Sequence, residues 1–320
     1  MRRKNWALIT AALLVSIIAI SWILPVRADS HWGANYFPNV TLTTQDGKQV
    51  KFYDDLLKGK IVAIELFYTQ CLDICPLETA RLAQVQQMLG DRVGKDIYFY
   101  SLSIDPEHDT PGQLKAFAEK YHAGPGWTFL TGKKEDIELI SKKLGLYKPP
   151  DPNDRDGHSA HILIGNEATG QWLRNNALDN PRFLAVMIGD WLNTWRSARA
   201  ITPAMNYAEA PKLKLDPGQY LFVTECGACH TIGRGDNIGP DLMGVTNVRE
   251  RKWLERKISQ PDALLAEGDP LTKVLFEKYK QIRMPNLHLD HEATDLLISF
   301  METQSAASAG AKGIKIEQPR

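Results

Sequence analysis

The sequence predicts an α/β domain followed by a smaller all-α domain, behind an N-terminal apolar helix. Three observations carry that reading. Up to about residue 195, apolar β-branched runs alternate with segments of helical spacing. From Pro217 onward no strand-like run is found, and helical patterns alternate with Gly-rich loops. At the front, an uncharged apolar run from Trp6 to Leu24 follows Arg2, Arg3 and Lys4. The length of 320 residues and a hydrophobic content of 43% suffice for two cores. Lys plus Arg balance Asp plus Glu at 38 each, which argues against a nucleic-acid partner, since that would call for a basic surface.

The basic residues followed by the apolar run at 1–28 form a membrane anchor or a signal peptide. The run is long enough to span a bilayer. Val26-Arg27-Ala28 after Pro25 also offers small residues for cleavage, so both fates stay open. Either way the rest of the chain is exported. It is expected at the periplasmic face of a bacterial inner membrane, held there by the helix or released by cleavage.

The α/β domain spans 36–195. Asn39 to Lys51 alternates around Asp46-Gly47 and reads as a β-hairpin. Ile61 to Thr69 is a continuous apolar run, as in a strand buried on both faces. The residues after Cys75 have helical spacing and stop at Gly90. A second buried strand covers 97–104, and a turn leads to a helix near 112–122. His161 to Ile164 is a third strand candidate ahead of an expected turn at Gly165-Asn166. Alternating strands and helices imply a parallel or mixed sheet covered by helices. Residues 196–211 read as a linker and 212–303 as the helical domain, with helices near 218–224, 249–258 and 291–302. The tail at 304–320 is small and polar, and is expected to be disordered.

Four cysteines form two close pairs, Cys71/Cys75 and Cys226/Cys229. Disulfides across such short loops would remove little chain entropy, so the spacings suit metal, haem or redox work. Cys226-Gly227-Ala228-Cys229-His230 is the CxxCH attachment motif for one covalent haem c. The two thiols add to the haem vinyl groups, and His230 is carried to the iron as an axial ligand. The region resembles a class I cytochrome c. Gly218 and Phe222 precede the motif, Ile238-Gly239-Pro240-Asp241-Leu242 matches the family's proline loop, and Phe300 lies on a last helix that would cross the first. The resemblance makes Met284 the second axial ligand. Met243 and Met301 read as core, and His288 or His291 remain as an alternative bis-histidine arrangement. With both axial positions filled, the haem carries electrons and leaves no open site for substrate.

Cys71-Leu72-Asp73-Ile74-Cys75-Pro76 follows a buried strand and opens a helix. Residues four apart share one helical face, so both sulfurs can converge on one ion. A helix N-terminus favours thiolates, and two soft thiolates suit Cu(I). The arrangement resembles the Sco/SenC family of thioredoxin-like copper proteins. The matching pieces are Tyr68-Thr69, then CxDxCP, then Ser103-Ile104-Asp105-Pro106 with Asp109-Thr110-Pro111, and finally His158-Ser159. The resemblance implies a copper ion held by Cys71, Cys75 and His158. The residue before His158 is Gly157, where the family usually has aspartate, although Asp156 is one step away. His161 stays open as an alternative ligand. Asp105 has two readings, one orienting the site and one capping a turn.

The resemblance further implies help in assembling the copper site of a haem-copper (cytochrome c) oxidase. The partners would be the oxidase's copper-receiving subunit, an electron-transfer partner and the membrane. The fused haem points to electron exchange with the copper or dithiol site. The competing reading is a thiol–disulfide oxidoreductase, with Cys71 and Cys75 as its redox dithiol, or a redox sensor wired to a cytochrome.

Overall fold

The computed structural model describes residues 32–71, 74–148, 160–193 and 216–311. The apolar run at 6–24, the expected linker, His158 and the last nine residues lie outside that range. Among the described residues no helix is long and apolar enough to cross a membrane.

Seven strands form one mixed sheet: β1 Thr41–Thr44, β2 Gln49–Lys51, β3 Ile61–Phe67, β4 Ile97–Ser103, β5 Trp127–Thr131, β6 His161–Asn166 and β7 Gln171–Asn176. Their order across the sheet is β2-β1-β5-β4-β3-β6-β7. β3, β4 and β5 run parallel. The hairpin β1–β2 adds antiparallel to β5, and the hairpin β6–β7 adds antiparallel to β3.

Every residue of β3 is buried, because both sheet faces are covered. Ile61, Ala63 and Phe67 face one apolar cluster, whereas Val62, Ile64 and Leu66 face another. The first cluster is roofed by α1 Ile74–Leu89, α2 Pro111–Lys120 and, after helix α3, α4 Pro181–Gly189. The second is closed by a π-helical turn at Phe52–Leu57 and by α3 Lys134–Leu144.

The helical domain contains α5 Pro217–Leu221, α6 Val245–Val248, α7 Arg251–Ser259, α8 Pro261–Ala266, α9 Pro270–Lys278 and α10 His291–Ala311. α5 and α10 cross closely at Gly218, where a Cβ would stand 2.2 Å from the Leu296 carbonyl oxygen. Phe222 and Phe300 meet beside the crossing with ring centroids 5.8 Å apart.

Two expectations need correction. The turn expected at Gly165-Asn166 is strand, and β6 runs through both residues. Gly165 pairs with Trp172, and a Cβ there would lie 2.1 Å from the indole, so this glycine makes room for a ring. The tail expected to be disordered from residue 304 is helical as far as Ala311. Ser305 holds that extension: its hydroxyl donates to the Met301 carbonyl at 2.8 Å and accepts from the Gly244 N–H at 3.1 Å.

Candidate functional site

The first centre lies at the carboxyl ends of β3 and β4, where Phe67 and Ser103 are paired. Parallel strands commonly present ligand sites at that end. The chain leaves β3 through Tyr68 and Thr69, reaches Cys71, and carries Cys75 in the first turn of α1. The Cys75 N–H donates to Cys71 Sγ at 3.4 Å. Neither cysteine is in a disulfide, and they are 4% and 0% exposed.

The helix N-terminus was expected to lower the thiol pKa values. Instead, burial pushes the Cys75 thiol far above its ordinary value, helped by a hydrogen bond and charge from Cys71. A helix dipole contributes at most about 2 kcal/mol, whereas full burial can shift a group by several pKa units. Cys75 is therefore protonated without metal, and a metal must displace the proton to bind.

The approach to Cys71 is pinned by Asp109, which is completely buried. Its carboxylate accepts from the Thr69 N–H at 3.1 Å, from the Thr69 hydroxyl and from the Ser103 hydroxyl. The partly exposed Asp105 carboxylate binds the Nδ1 of exposed His108 at 2.8 Å.

β6 starts at the same end of the sheet, since Ile162 pairs with Glu65 antiparallel. His161, its first residue, is exposed. His158 lies outside the described residues. Among those described, no third His, Cys, Asp or Glu joins the two thiols in a metal-holding group.

The second centre is built on α5, whose N-terminus is capped by Asp216 accepting from the Gln219 N–H at 2.9 Å. The helix widens into a π-turn at Phe222–Cys226, which delivers Cys226 to the attachment motif. The His230 ring binds the Pro240 carbonyl oxygen through Nδ1 at 2.9 Å, so Nδ1 carries the proton and Nε2 keeps its lone pair. Burial lowers the His230 pKa and favours that neutral form. Gly239 passes beside the ring, where a Cβ would stand 2.7 Å from Cε1. The Asp241 carboxylate closes the loop by accepting from the N–H groups of Gly233, Gly235 and Met243, at 2.8, 2.6 and 2.9 Å.

These residues fit a covalent haem: two free thiols, and an oriented neutral imidazole with one nitrogen available. Met301 is buried in the helical core. A Cβ on Gly233 would meet the Met243 methyl at 2.9 Å, which places Met243 against the loop. Met284 is half-buried in the irregular segment between α9 and α10, while His288 and His291 are exposed.

Comparison with known proteins matches two families to the two regions of the chain. The SCO1/SenC family model matches residues 30–182, and the cytochrome c family model matches 215–305. The SCO1 protein homolog of Bacillus subtilis is 35% identical over 149 residues, covering 45% of this chain and 75% of that protein. The chain belongs to the SCO1/SenC family. A SCO2-like protein of Rickettsia felis is 28% identical over 189 residues, covering 54% of this chain and 89% of its own. A putative copper-binding protein of Stutzerimonas stutzeri is 30% identical over 137 residues, 41% of this chain and 65% of that one. Among solved structures, a SCO1/SenC family lipoprotein from Bacillus anthracis aligns at 27% identity and a TM-score of 0.42, covering 49% of this chain and 96% of its own.

In this family member the Sco domain and the cytochrome c domain share a core. Cys71 and Cys75 belong to the same buried cluster as Ala228 and Ile238, with Tyr68, Cys229 and Ile282 packed against it. Lys120 at the end of α2 donates to the Gln281 carbonyl at 3.4 Å, in the segment that carries Met284. Tyr121 is 2% exposed in the same cluster. Burial, then Cys229, Cys75 and Cys71, push its hydroxyl pKa up, so Cys71, Cys75 and one haem-motif cysteine lie within electrostatic reach of one ring.

Sequence reading did not single out Asp109 as a site residue, nor Tyr121. The Asp109-Thr110-Pro111 turn was visible as a motif. Nothing in the sequence shows which side chains face a second domain.

Proposed function

We propose that this chain is an exported copper-binding protein that assists assembly of the copper site of a haem-copper oxidase. Its cytochrome c domain exchanges electrons with the copper or dithiol site. The observation that carries the reading is the shared core, in which Cys71 and Cys75 lie in the same buried cluster as Ala228 of the haem motif. Haem c, when bound, supplies one-electron exchange. Disulfide reduction needs two electrons and Cu(II)/Cu(I) needs one, so copper is the better match for a single haem. Cys71 and Cys75 hold the ion through sulfur, with His158 as third ligand. His230 and Met284 would hold the haem iron.

Burial supports copper over general dithiol exchange. A thiol that attacks a partner's disulfide must be accessible and ionised. Cys75 is fully buried and its thiol is held protonated. The copper-receiving subunit of the oxidase is the recipient proposed, and the periplasmic face of the inner membrane is the site of action.

Rapid mixing of the ferrous, haem-loaded chain with one equivalent of Cu(II) tests the proposal. The expected result is a ferric haem band and one retained Cu(I), both lost in Cys71→Ala and Cys75→Ala and weakened in His158→Ala. Bound copper beside a haem that stays ferrous ends the electron-coupled reading. Failure of the intact thiols to hold copper ends the copper reading and leaves a dithiol oxidoreductase.

A further inference from the structure

Helix α1 does more than carry Cys75. It is buried along most of its length, including Glu78 and Arg81. Arg81 follows Cys75 by less than two helical turns. It is only 2% exposed and ranks among the largest fully buried side chains. Its Nε has no hydrogen-bond partner among the described residues. A buried guanidinium nitrogen without a partner is costly, because its lost hydration is not replaced. Arginine remains charged at any physiological pH, so proton loss does not remove that cost.

The groups that bear on the Arg81 charge are Glu225, Cys229, Cys226 and Asp179, three of them in or beside the haem-attachment motif. Glu225 is the residue immediately before Cys226. Ala80 and Leu82, on either side of Arg81, belong to the same buried cluster as Ala228, against which Cys229 packs, so this buried cation from the Sco domain lies within electrostatic reach of the place where the cytochrome domain fastens its haem. Haem c is itself a charged group, with carboxylate side chains and an iron whose net charge changes by one on reduction.

We infer that Arg81 is a haem-directed positioning residue: the Sco domain supplies this buried cation to the cytochrome domain to favour ferrous iron. The proposal rests on the reading of Cys226–His230 as haem-bearing and is independent of copper. A fixed positive charge stabilises the state with one more electron, and low local permittivity lengthens its reach. The same rigid helix bears Cys75 at one end and Arg81 further along. One element of the Sco domain therefore both holds the dithiol site and sets the poise of the haem.

The test is a redox titration of the haem-loaded full chain without copper, read at the haem band. In Arg81→Met, the ferrous-to-ferric ratio at fixed ambient potential should fall by about tenfold. Arg81→Lys should retain most of the wild-type ratio, and Glu225→Gln should shift it the other way, towards ferrous. A purely structural role would change the unfolding transition of these variants without opposite shifts in ratio. An Arg81→Met chain that folds and titrates like wild type overturns the proposal. Should Arg81→Met fail to fold, an unchanged ratio in Glu225→Gln overturns it instead. A chain that purifies without a haem band overturns the haem reading itself, and this proposal with it, before any titration is made.

Discussion

Asp109 binds three donors from a fully buried position, and those donors include both polar groups of Thr69, two residues before Cys71. Asp109→Ala would strand the Thr69 N–H and the Ser103 hydroxyl in the core. At about 1–3 kcal/mol for each buried unsatisfied group, urea unfolding of the variant should show a loss of at least about 2 kcal/mol. A loss below about 1 kcal/mol would mean that water or a neighbour replaces the carboxylate. Cys75 makes a pH prediction. Its folded-state pKa is raised, so its contribution to stability is whole below the unfolded thiol's value of about 8.5 and is lost as pH rises above it. The melting temperature of the metal-free chain should fall between roughly pH 8.5 and 10, and Cys75→Ser should flatten that fall. Parallel curves for the two chains would refute burial of this thiol as the cause. Helix-start position is visible in a sequence and argues for a thiolate, but the layer that covers the helix start comes from segments far away in the chain.

At the scale of elements, the longest periodic runs were the most legible. β3, β4, α1 and α2 all follow from apolar runs or helical spacing bounded by turns. The irregularities came from contacts. Gly165 looks like a turn residue, yet it is a strand residue emptied for Trp172. The Ala- and Ser-rich stretch after Thr303 looks unstructured, yet it extends α10 because Ser305 finds partners on α6's approach and one turn back. Gly218 is the counterexample, since its place ahead of the haem motif already marked a helix crossing. In Gly218→Ala the new methyl group meets the Leu296 carbonyl, and overpacking of this kind costs about 2 kcal/mol. Thermal unfolding of the haem-loaded chain, followed at the haem band, should move to lower temperature by several degrees. No shift would mean that α5 and α10 can slide apart freely.

Across the whole molecule, each domain was readable on its own and the relation between them was not. CxxCH announces its chemistry through spacing, and CxxxC does so together with the motifs that follow it; their first cysteines, Cys71 and Cys226, are 155 positions apart in the chain. That both belong to one buried cluster depends on how α1, α2 and the haem motif pack together, which leaves no periodic mark. The fused arrangement also fixes the local concentration of one centre at the other, so exchange between them needs no diffusional encounter.

Ala228 sits between the two attachment cysteines and is only 4% exposed, enclosed in a cluster made largely by the Sco domain. Any catalyst that forms the thioether bonds has to grip this stretch of backbone and present both sulfurs to the porphyrin. Burial of Ala228 therefore predicts that attachment precedes closure of this cluster: a haem-free chain that is already packed should stay unloaded when offered haem and the attachment catalyst, and efficient loading of it would refute the prediction.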